Sequence, residues 1–273
     1  MTALQRSPGP GARPREFRGE ITAKLPVMGD SWLITFTAPQ EILQSARPGQ
    51  FVNVLARERA VYDPLLRRPF SVYDVSPDDG LMTILVRPYG RGGGSIVERN
   101  IGGEIDILGL LGNAFEVNPR SQRLLMVAGG VGAAPLFMLS RAAVMQGLSV
   151  TYLLGAMTAD ALLDASQFPQ EVEYVVATED GSAGYHGFVT DLVPDYLQWA
   201  DQVFSCGPGP MFQSLRSVVL ANRMGKRPGV QVSVERTMAC GVGACLGCMV
   251  ETKRGMKTSC VDGPVFDMDV VQW

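Results

Sequence analysis

Four cysteines near the carboxyl end constrain the fold of this chain more than any other feature. They have the spacing C-x4-C-x2-C-x11-C, and they are Cys240, Cys245, Cys248 and Cys260. Disulfides are rare in reducing compartments, and four cysteines confined to the last 34 residues of a 273-residue chain are more typical of a metal site. Residues 227–273 are too few and too rich in glycine to build a core of their own, so we expect a bound metal centre to supply their order.

The cysteine spacing indicates a [2Fe–2S] cluster. In the plant-type arrangement a loop supplies three thiolates and a more distant strand supplies the fourth. Gly241, Gly243 and Gly247 keep this loop free of bulk, so that backbone N–H groups can turn toward the sulfurs. A structural zinc site and plain buried thiols are the alternatives, although zinc ribbons favour two C-x2-C pairs. We predict that the four cysteines are the ligands of a [2Fe–2S] cluster.

The amino-terminal part of the chain has the pattern of a small antiparallel barrel or sandwich. Short β-rich runs recur at about ten-residue spacing from residue 17 to about 115, and Trp32, Ile34 and Phe36 show the alternation of a half-buried strand. We predict a β-barrel domain over residues 17–118. The preceding residues, 1–16, are rich in Pro, Gly and Arg and are expected to form a flexible tail.

From about residue 121 the pattern changes to apolar strands that alternate with helices. The run "RLLMVAGG" is continuously apolar before its glycines, and "APLFMLSRAAVMQGL" repeats apolar residues at helical spacing. Such alternation predicts a doubly wound parallel sheet covered on both faces. We therefore place a nucleotide-binding α/β domain at residues 119–226 and a small cluster domain at residues 227–273.

Two glycine-rich turns follow apolar strands in this second domain. Gly129, Gly130 and Gly132 lie in "VAGGVGAAPLF", and Cys206 and Gly207 begin "CGPGPMF". Each turn opens a helix, where backbone N–H groups can bind a pyrophosphate. Either turn alone is also explained by a tight strand-to-helix connection, and Cys206 by a small buried thiol. Together they suggest one dinucleotide that lies across both strand ends.

The barrel carries a second set of candidate phosphate ligands. Arg68 and Ser71 lie in "LLRRPFSVYDV", and Gly94 and Ser95 lie in "RPYGRGGGSI". A fixed guanidinium, a hydroxyl and a glycine turn can all approach phosphate oxygens closely. A surface turn with a solvated arginine is the alternative.

Composition excludes several classes of protein. The net charge is −3, the pI is about 5.3 and no long run of Lys or Arg occurs, so nucleic acid is not an expected partner. No apolar run of ~18 residues predicts a membrane span, and the first residues lack the apolar run of a signal peptide. We expect a cytoplasmic protein.

The motifs occur in the order found in the ferredoxin–NADP reductase superfamily. They are "RRPFS", "GGGS", "GLLGNAF", "GGVGAAPL", "TEDGSAGYHGFVTD", "CGPGPMF" and "ERTMACGVGACLGCMV…SCVDGPVF". Over residues 17–271 the chain resembles most closely the electron-transfer subunits of NAD-dependent dihydroorotate dehydrogenase. The resemblance implies FAD in the barrel, NAD(H) on the parallel sheet and a [2Fe–2S] cluster at the carboxyl end.

The resemblance also implies roles for individual residues of the barrel. Carried over by position, the residues expected at the flavin and its phosphates are Arg68, Pro69, Phe70, Ser71, Leu85, Val86, Arg87, Gly94 and Ser95. Phe70 and Ser95 depart from the residues usual in the family, but the hydroxyl and glycine functions remain. Met157 stands where related reductases often carry arginine, which favours NAD over NADP.

The resemblance implies an oxidoreductase in which electrons pass between NAD(H), FAD, a [2Fe–2S] cluster and a partner subunit. Cofactors supply this chemistry, so no catalytic acid or base is required. The implied partner is an FMN-containing dihydroorotate dehydrogenase of pyrimidine biosynthesis, in a heterotetramer with two copies of each chain. One alternative is the diaphorase subunit of a hydrogenase, sulfite reductase or transhydrogenase-type complex. A second alternative, of another class, is a zinc-containing module that senses nucleotides or redox state.

Overall fold

A computed structural model describes residues 14–57, 61–222 and 227–273 of the chain. Of the tail predicted at residues 1–16, residues 1–13 lie outside the described residues. Arg15 and Glu16, which the sequence assigned to that tail, already belong to the first strand.

Six antiparallel strands form a closed barrel in the order β1-β2-β5-β4-β3-β6. The strands are β1 (Arg15–Pro26), β2 (Trp32–Thr37), β3 (Phe51–Leu55), β4 (Arg67–Ser76), β5 (Leu81–Val86) and β6 (Glu104–Leu111), and two short helices, α1 (Gln40–Ser45) and α2 (Arg91–Val97), lie between them. Alternate residues such as Ile34, Phe36 and Ile84 fill the interior, as the two-residue period requires. The predicted antiparallel barrel is confirmed.

Most of the remaining chain is organised around a seven-stranded sheet in the order β10-β9-β8-β7-β11-β12-β15. These strands are β7 (Arg123–Gly129), β8 (Ser149–Ala156), β9 (Val172–Thr178), β10 (Tyr185–His186), β11 (Gln202–Cys206), β12 (Gly229–Ser233) and β15 (Val265–Asp267). All are parallel except β15, which pairs antiparallel with β12. Both faces are covered by helices, which are α3 (Ala133–Val144), α4 (Val189–Leu197) and α5 (Gly209–Ala221).

Strand β7 shows why this sheet is apolar throughout. Leu124 and Met126 pack into the core under α3, whereas Leu125 and Val127 pack into the core under α4 and α5. A strand buried on both faces has no solvent side, so its residues need not alternate in polarity. The predicted doubly wound sheet is confirmed. None of the described helices is long and apolar enough to cross a membrane.

The carboxyl-terminal segment is divided between this sheet and a separate small unit. Residues 227–273 were predicted as a domain of their own, yet they contribute β12 and β15 to the sheet. Between these two strands the chain forms the cysteine loop and a hairpin of β13 (Met249–Thr252) and β14 (Gly255–Thr258). The cysteine loop therefore leaves the sheet at the carboxyl end of β12 and returns through β15.

The barrel and the sheet are joined through β4 and α3. The rings of Tyr73 and Phe137 stack with centroids 4.1 Å apart, and Arg141 forms an ion pair with Asp74. Tyr73 and Asp74 follow the predicted flavin residues on the same strand. The contact therefore fixes that strand relative to the carboxyl edge of the parallel sheet.

A second junction joins the barrel to the cysteine segment through Asn113. Its Nδ2 donates to the carbonyls of Asp262 (3.0 Å) and Val265 (2.9 Å), and its Oδ1 accepts from the Val265 N–H at 2.9 Å. Apolar contact accompanies these bonds, because Phe51 and Leu111 of the barrel share a buried cluster with the cysteine segment. The segment that follows Cys260 is thus held directly against the end of β6.

We expect Asn113→Ala to lower the free energy of unfolding by about 2–4 kcal/mol, because three hydrogen bonds are lost at a part-buried junction. Urea unfolding followed by circular dichroism measures the effect. Asn222→Ala is the control, since the Asn222 side chain accepts one exposed hydrogen bond from Gln198 and should change stability by at most about 0.5 kcal/mol. Equal effects of the two substitutions would contradict the role given to Asn113.

Candidate redox site

The barrel wall opens between β4 and β5. The two strands pair from Ser76 and Leu81 to Val72 and Ile84. Beyond that point β4 continues as the partner of β3, and β5 continues as the partner of β2, so the two backbones diverge. The predicted flavin residues lie on both sides of this opening, and α2 lies next to both strands.

Arg68 and the glycine turn of α2 are in contact. A Cβ on Gly92 would lie 2.7 Å from the Arg68 Nε, so the guanidinium packs directly over the turn. The Ser95 hydroxyl faces the barrel, where the carbonyl of Ala56 and that of Gly92 (3.1 Å) are its acceptors. A bound phosphate would therefore meet the Arg68 guanidinium and backbone N–H groups before the Ser95 proton.

The side chains of three other predicted flavin residues are engaged in contacts within the protein. Leu85 and Val86 have buried side chains, Leu85 in the core between the domains and Val86 in the barrel interior. Any contact that they make in the opening uses their backbone groups. The Arg87 side chain donates to Asp30 and to the Tyr89 hydroxyl, both at 2.9 Å, at the rim of the barrel.

The two glycine turns lie side by side at the carboxyl ends of β7 and β11. The chain leaves β7 toward β8 on one side and continues from β11 to β12 on the other, so the switch point of the sheet lies between them. A Cβ on Gly132 would overlap the carbonyl oxygen of Cys206, and one on Gly129 would lie 2.9 Å from the Met211 sulfur. The structure thus brings together the residues that the sequence predicted to bind a dinucleotide.

We expect Gly132→Ala to raise the KM for NADH at least tenfold, because an added Cβ overlaps the Cys206 carbonyl and separates the two turns. Steady-state reduction of a dye by NADH measures it. Gly209→Ala is the matched control in the second turn, since a Cβ there has no neighbour within 4 Å. An unchanged KM for Gly132→Ala would show that the contact between the turns does not shape the nucleotide site.

Glu235 was not among the predicted site residues, yet it lies where the two domains meet. The Ser71 hydroxyl of β4 donates to the Glu235 Oε1 at 3.4 Å. Burial raises the pKa of the Cys206 thiol, and the charge of Glu235 raises it further. Burial also raises the pKa of the Glu235 carboxyl, while the hydrogen bond from Ser71 opposes the rise. Glu235 is nonetheless exposed to solvent where the barrel and the sheet meet. Its sequence signal was its place directly after an apolar parallel strand.

The four predicted ligand cysteines come together as two pairs. The N–H of Cys245 donates to the Cys240 sulfur at 3.4 Å, and Cys248 and Cys260 share one buried cluster. Within the described ranges, no group of three or more Cys, His, Asp or Glu side chains is arranged to hold a single metal ion. Two pairs of thiolates suit a centre with two irons, each of which takes two protein ligands. The donor set therefore fits a [2Fe–2S] cluster.

Backbone N–H groups of the loop turn toward the sulfurs. The N–H groups of Val242 and Cys245 donate to the Cys240 sulfur at 3.4 Å, and that of Gly243 donates to the Cys260 sulfur at 3.2 Å. The loop reaches this shape through left-handed conformations at Gly241 (φ 74°) and Gly243, where a side chain would be strained. The expectation that the glycines allow N–H groups to face the sulfurs agrees with this geometry.

The surroundings of Cys240 and Cys260 shift the pKa values of these two thiols in opposite directions. Burial raises the pKa of Cys240, but the N–H groups of Val242 and Cys245 outweigh it and lower the value to about 6. Burial and the neighbouring Cys248 raise the pKa of Cys260 to about 12. Positive charge from bound iron would offset this cost, because a coordinating thiol is deprotonated.

Known proteins resemble this chain in sequence and in fold. A family model for the iron–sulfur cluster binding domain of dihydroorotate dehydrogenase B matches residues 235–272. The dihydroorotate dehydrogenase B (NAD(+)) electron transfer subunit of Desulforamulus reducens is 37% identical over 264 residues, which cover 94% of this chain and 98% of that one. The same subunit of Bacillus caldolyticus is 38% identical over 230 residues, which cover 82% and 86%. The solved structure of an NADH-dependent reduced ferredoxin–NADP oxidoreductase, described for flavin-based electron bifurcation, is 30% identical with a TM-score of 0.80 and covers 93% of this chain and 90% of its own.

The fold and these similarities define a reductase of the ferredoxin–NADP reductase type with an iron–sulfur domain. More particularly, the chain belongs to the family of electron transfer subunits of NAD-dependent dihydroorotate dehydrogenase B. It is an NAD-dependent flavin and iron–sulfur oxidoreductase, and its cofactors are FAD, NAD(H) and a [2Fe–2S] cluster. The resemblance and the cofactors predicted from the sequence are confirmed, and the iron–sulfur domain replaces the zinc alternative.

Proposed function

We propose that this chain carries electrons between NAD(H) and an FMN-containing dihydroorotate dehydrogenase subunit, in a heterotetramer that serves pyrimidine biosynthesis. The observation that carries the proposal is the order of the three sites. The nucleotide crevice meets β4 through Glu235 and Ser71, β4 pairs with β3, and β3 contacts the cysteine loop, whose Val242 and Leu246 are exposed to solvent. An organic substrate is not required on this chain if its electrons leave through the loop.

FAD binds in the barrel opening, with Arg68 and the turn of Gly94 and Ser95 at its phosphates, and with Pro69, Phe70, Ser71 and the backbone of residues 85–87 along the rest. NAD(H) lies across Gly129, Gly130, Gly132, Cys206 and Gly207. Cys240, Cys245, Cys248 and Cys260 are the cluster ligands. Bound FAD exchanges electrons in pairs with nicotinamide and singly with an iron–sulfur centre.

Ser71 and Glu235 orient the nicotinamide in this proposal, and Cys206, whose thiol is fully buried, contributes through its backbone. The three residues come from β4, the end of β12 and β11, and they meet where the flavin strand approaches the carboxyl edge of the sheet. The Glu235 carboxylate places negative charge where the nicotinamide ring becomes cationic as hydride leaves it. Fixed charge aimed at developing charge is a large source of rate enhancement.

The exposed face of the cysteine loop is the proposed contact with the partner. Val242, Leu246 and Val261 are each large apolar side chains more than 40% exposed. Gly243 lies against Val261, since a Cβ there would be 3.0 Å from Val261 Cγ2, so Val261 adjoins the loop that carries Val242 and Leu246. Contiguous exposed apolar surface marks protein contacts.

The experiment that tests the function combines the two chains. Purified with its flavin and cluster, this chain should give dihydroorotate-dependent reduction of NAD⁺ when an FMN-containing dihydroorotate dehydrogenase subunit is added, and the pair should elute together on gel filtration. The structure 30% identical to this chain is that of an NADH-dependent reduced ferredoxin–NADP oxidoreductase, which favours a diaphorase role as the second candidate. Ferredoxin reduction by NADH without any dihydroorotate activity would support that candidate instead.

A further inference from the structure

Asn53 is a buried polar residue on the outer face of the barrel. It lies in β3 between Val52 and Val54, whose side chains fill the barrel interior, so its own side chain points outward. Its exposure is nevertheless 0%. The cysteine loop covers this face, because Phe51, also outward on β3, packs with Cys248 and Cys260.

The Asn53 carboxamide contacts the first peptide of the cysteine loop. Its Nδ2 donates to the carbonyl of Cys240 at 3.4 Å. Gly241 follows at φ 74°, and a Cβ there would overlap the Asn53 Nδ2 and lie 3.1 Å from a Leu111 methyl. The peptide between Cys240 and Gly241 is therefore held between the amide and the barrel wall.

The other end of the carboxamide has no protein partner among the described residues. Asn53 Oδ1 is buried and accepts no hydrogen bond. A buried carbonyl oxygen without a donor costs free energy, whereas a leucine of similar size would pack in this place without that cost. The amide is thus unfavourable for packing alone, and its remaining contact is the one with Cys240.

The strand register places Asn53 beside the flavin strand as well. Asn53 stands opposite Pro69, and Phe51 opposite Ser71, and directly opposed residues share a face of the sheet. On its other side β6 has an extra residue, since Phe51 pairs with Leu111 and Asn53 with Leu108. Such a bulge locally redirects side chains. Asn53 therefore lies between the flavin strand and the cysteine loop.

We propose that Asn53 is a positioning residue for the iron–sulfur centre. By holding the Cys240 carbonyl, its amide fixes the start of the loop and keeps the N–H groups of Val242 and Cys245 directed at the Cys240 sulfur. Hydrogen bonds to the sulfurs stabilise added negative charge and so raise the reduction potential of such a centre. This inference rests on the proposed cluster ligands and not on the identity of the partner.

The test compares Asn53→Leu with the wild-type holoprotein in an EPR-monitored redox titration. We expect the equilibrium for one-electron reduction of the cluster to fall about tenfold, which is a shift of about 59 mV to more negative potential. The EPR line shape should change with it, because the N–H groups at one sulfur are displaced. An unchanged potential and line shape would overturn the proposal.

Gln50→Leu is the matched control. Gln50 is a buried carboxamide just before β3, and its Nε2 donates to the Gly112 carbonyl at 3.2 Å while its Oε1 accepts from the Arg47 N–H at 3.0 Å. Its loss should lower the melting temperature and leave the potential and the EPR spectrum unchanged. A potential shift equal to that of Asn53→Leu would mean that any lost amide in this region has the effect, and it would overturn the proposal.

If Asn53→Leu does not fold, Asn53→Asp is the second test, because aspartate has nearly the same side-chain shape as asparagine. The new carboxylate repels the Cys240 carbonyl and adds negative charge, so the potential should again fall; no fall would overturn the proposal. The measurements do not use the partner. A shifted potential without dihydroorotate activity would support the role of Asn53 and refute the partner, whereas a wild-type protein without a cluster signal would overturn both.

Discussion

Replacement of Cys248 by alanine is expected to abolish electron transfer to the partner, by more than 100-fold, while NADH still reduces the flavin within about twofold of the wild-type rate. Cys248 is buried beside Cys260, and as a proposed cluster ligand its loss would remove one of the four thiolates that would hold the irons. The flavin opening and the nucleotide crevice lie on other strands. Stopped-flow absorbance of the flavin and the partner-dependent assay measure the two steps separately.

Val250→Ala controls for lost packing. Val250 is buried in β13, two residues beyond Cys248, and it joins the core of the sheet. This variant should keep its cluster signal and most of its partner-dependent activity, at some cost in stability. If Cys248→Ala still reduced the partner, or if it lost flavin reduction while its fold was intact, the proposed order of the centres would be wrong.

Glu235→Gln is expected to slow flavin reduction by NADH about 100-fold at neutral pH, since it removes the charge that stabilises the cationic nicotinamide. The pH dependence follows from the raised pKa of this carboxyl. Above that pKa the group is ionised and active. As the pH falls through it, the wild-type rate should decline toward the rate of Glu235→Gln, which should not vary with pH over the same interval.

Single-turnover measurements at saturating NADH between pH 5 and pH 8 test this prediction. Glu171→Gln, an exposed carboxylate at the opposite end of the sheet, should retain the wild-type rate and profile. Identical pH profiles for wild type and Glu235→Gln would remove Glu235 from the site.

The sequence predicts the two large elements of the fold because their periods are strong. Alternation around Ile34 and Phe36 follows from a strand with one buried face, and the unbroken apolar run at residues 124–128 follows from a strand buried on both. The two glycine turns were also predictable, since a turn between a strand end and a helix leaves no room for a Cβ. Gly132 shows this most directly against the Cys206 carbonyl.

Other features depend on packing that a local pattern does not contain. The run "GVQVSV" is apolar enough for a parallel strand, but it lies next to the cysteines and was assigned with them. Leu85 and Val86 were expected at the flavin, and their side chains lie in the cores because the strand faces alternate beneath the opening. The roles proposed for Glu235 and Asn53 depend on their contacts with Ser71 and Cys240, which are distant in sequence and adjacent only in the fold.

The antiparallel pairing of β12 with β15 has a consequence for how such proteins can be modified. Ser233 stands opposite Val265, so the chain leaves the sheet and re-enters it at neighbouring positions about 5 Å apart. The residues between them, which include all four proposed ligand cysteines, form an excursion of the chain from one edge of the sheet. A short turn that joins the two strands could replace this segment and leave a reductase without the cysteine loop. The corresponding segment of a relative could also be exchanged for it, to change which protein receives the electrons.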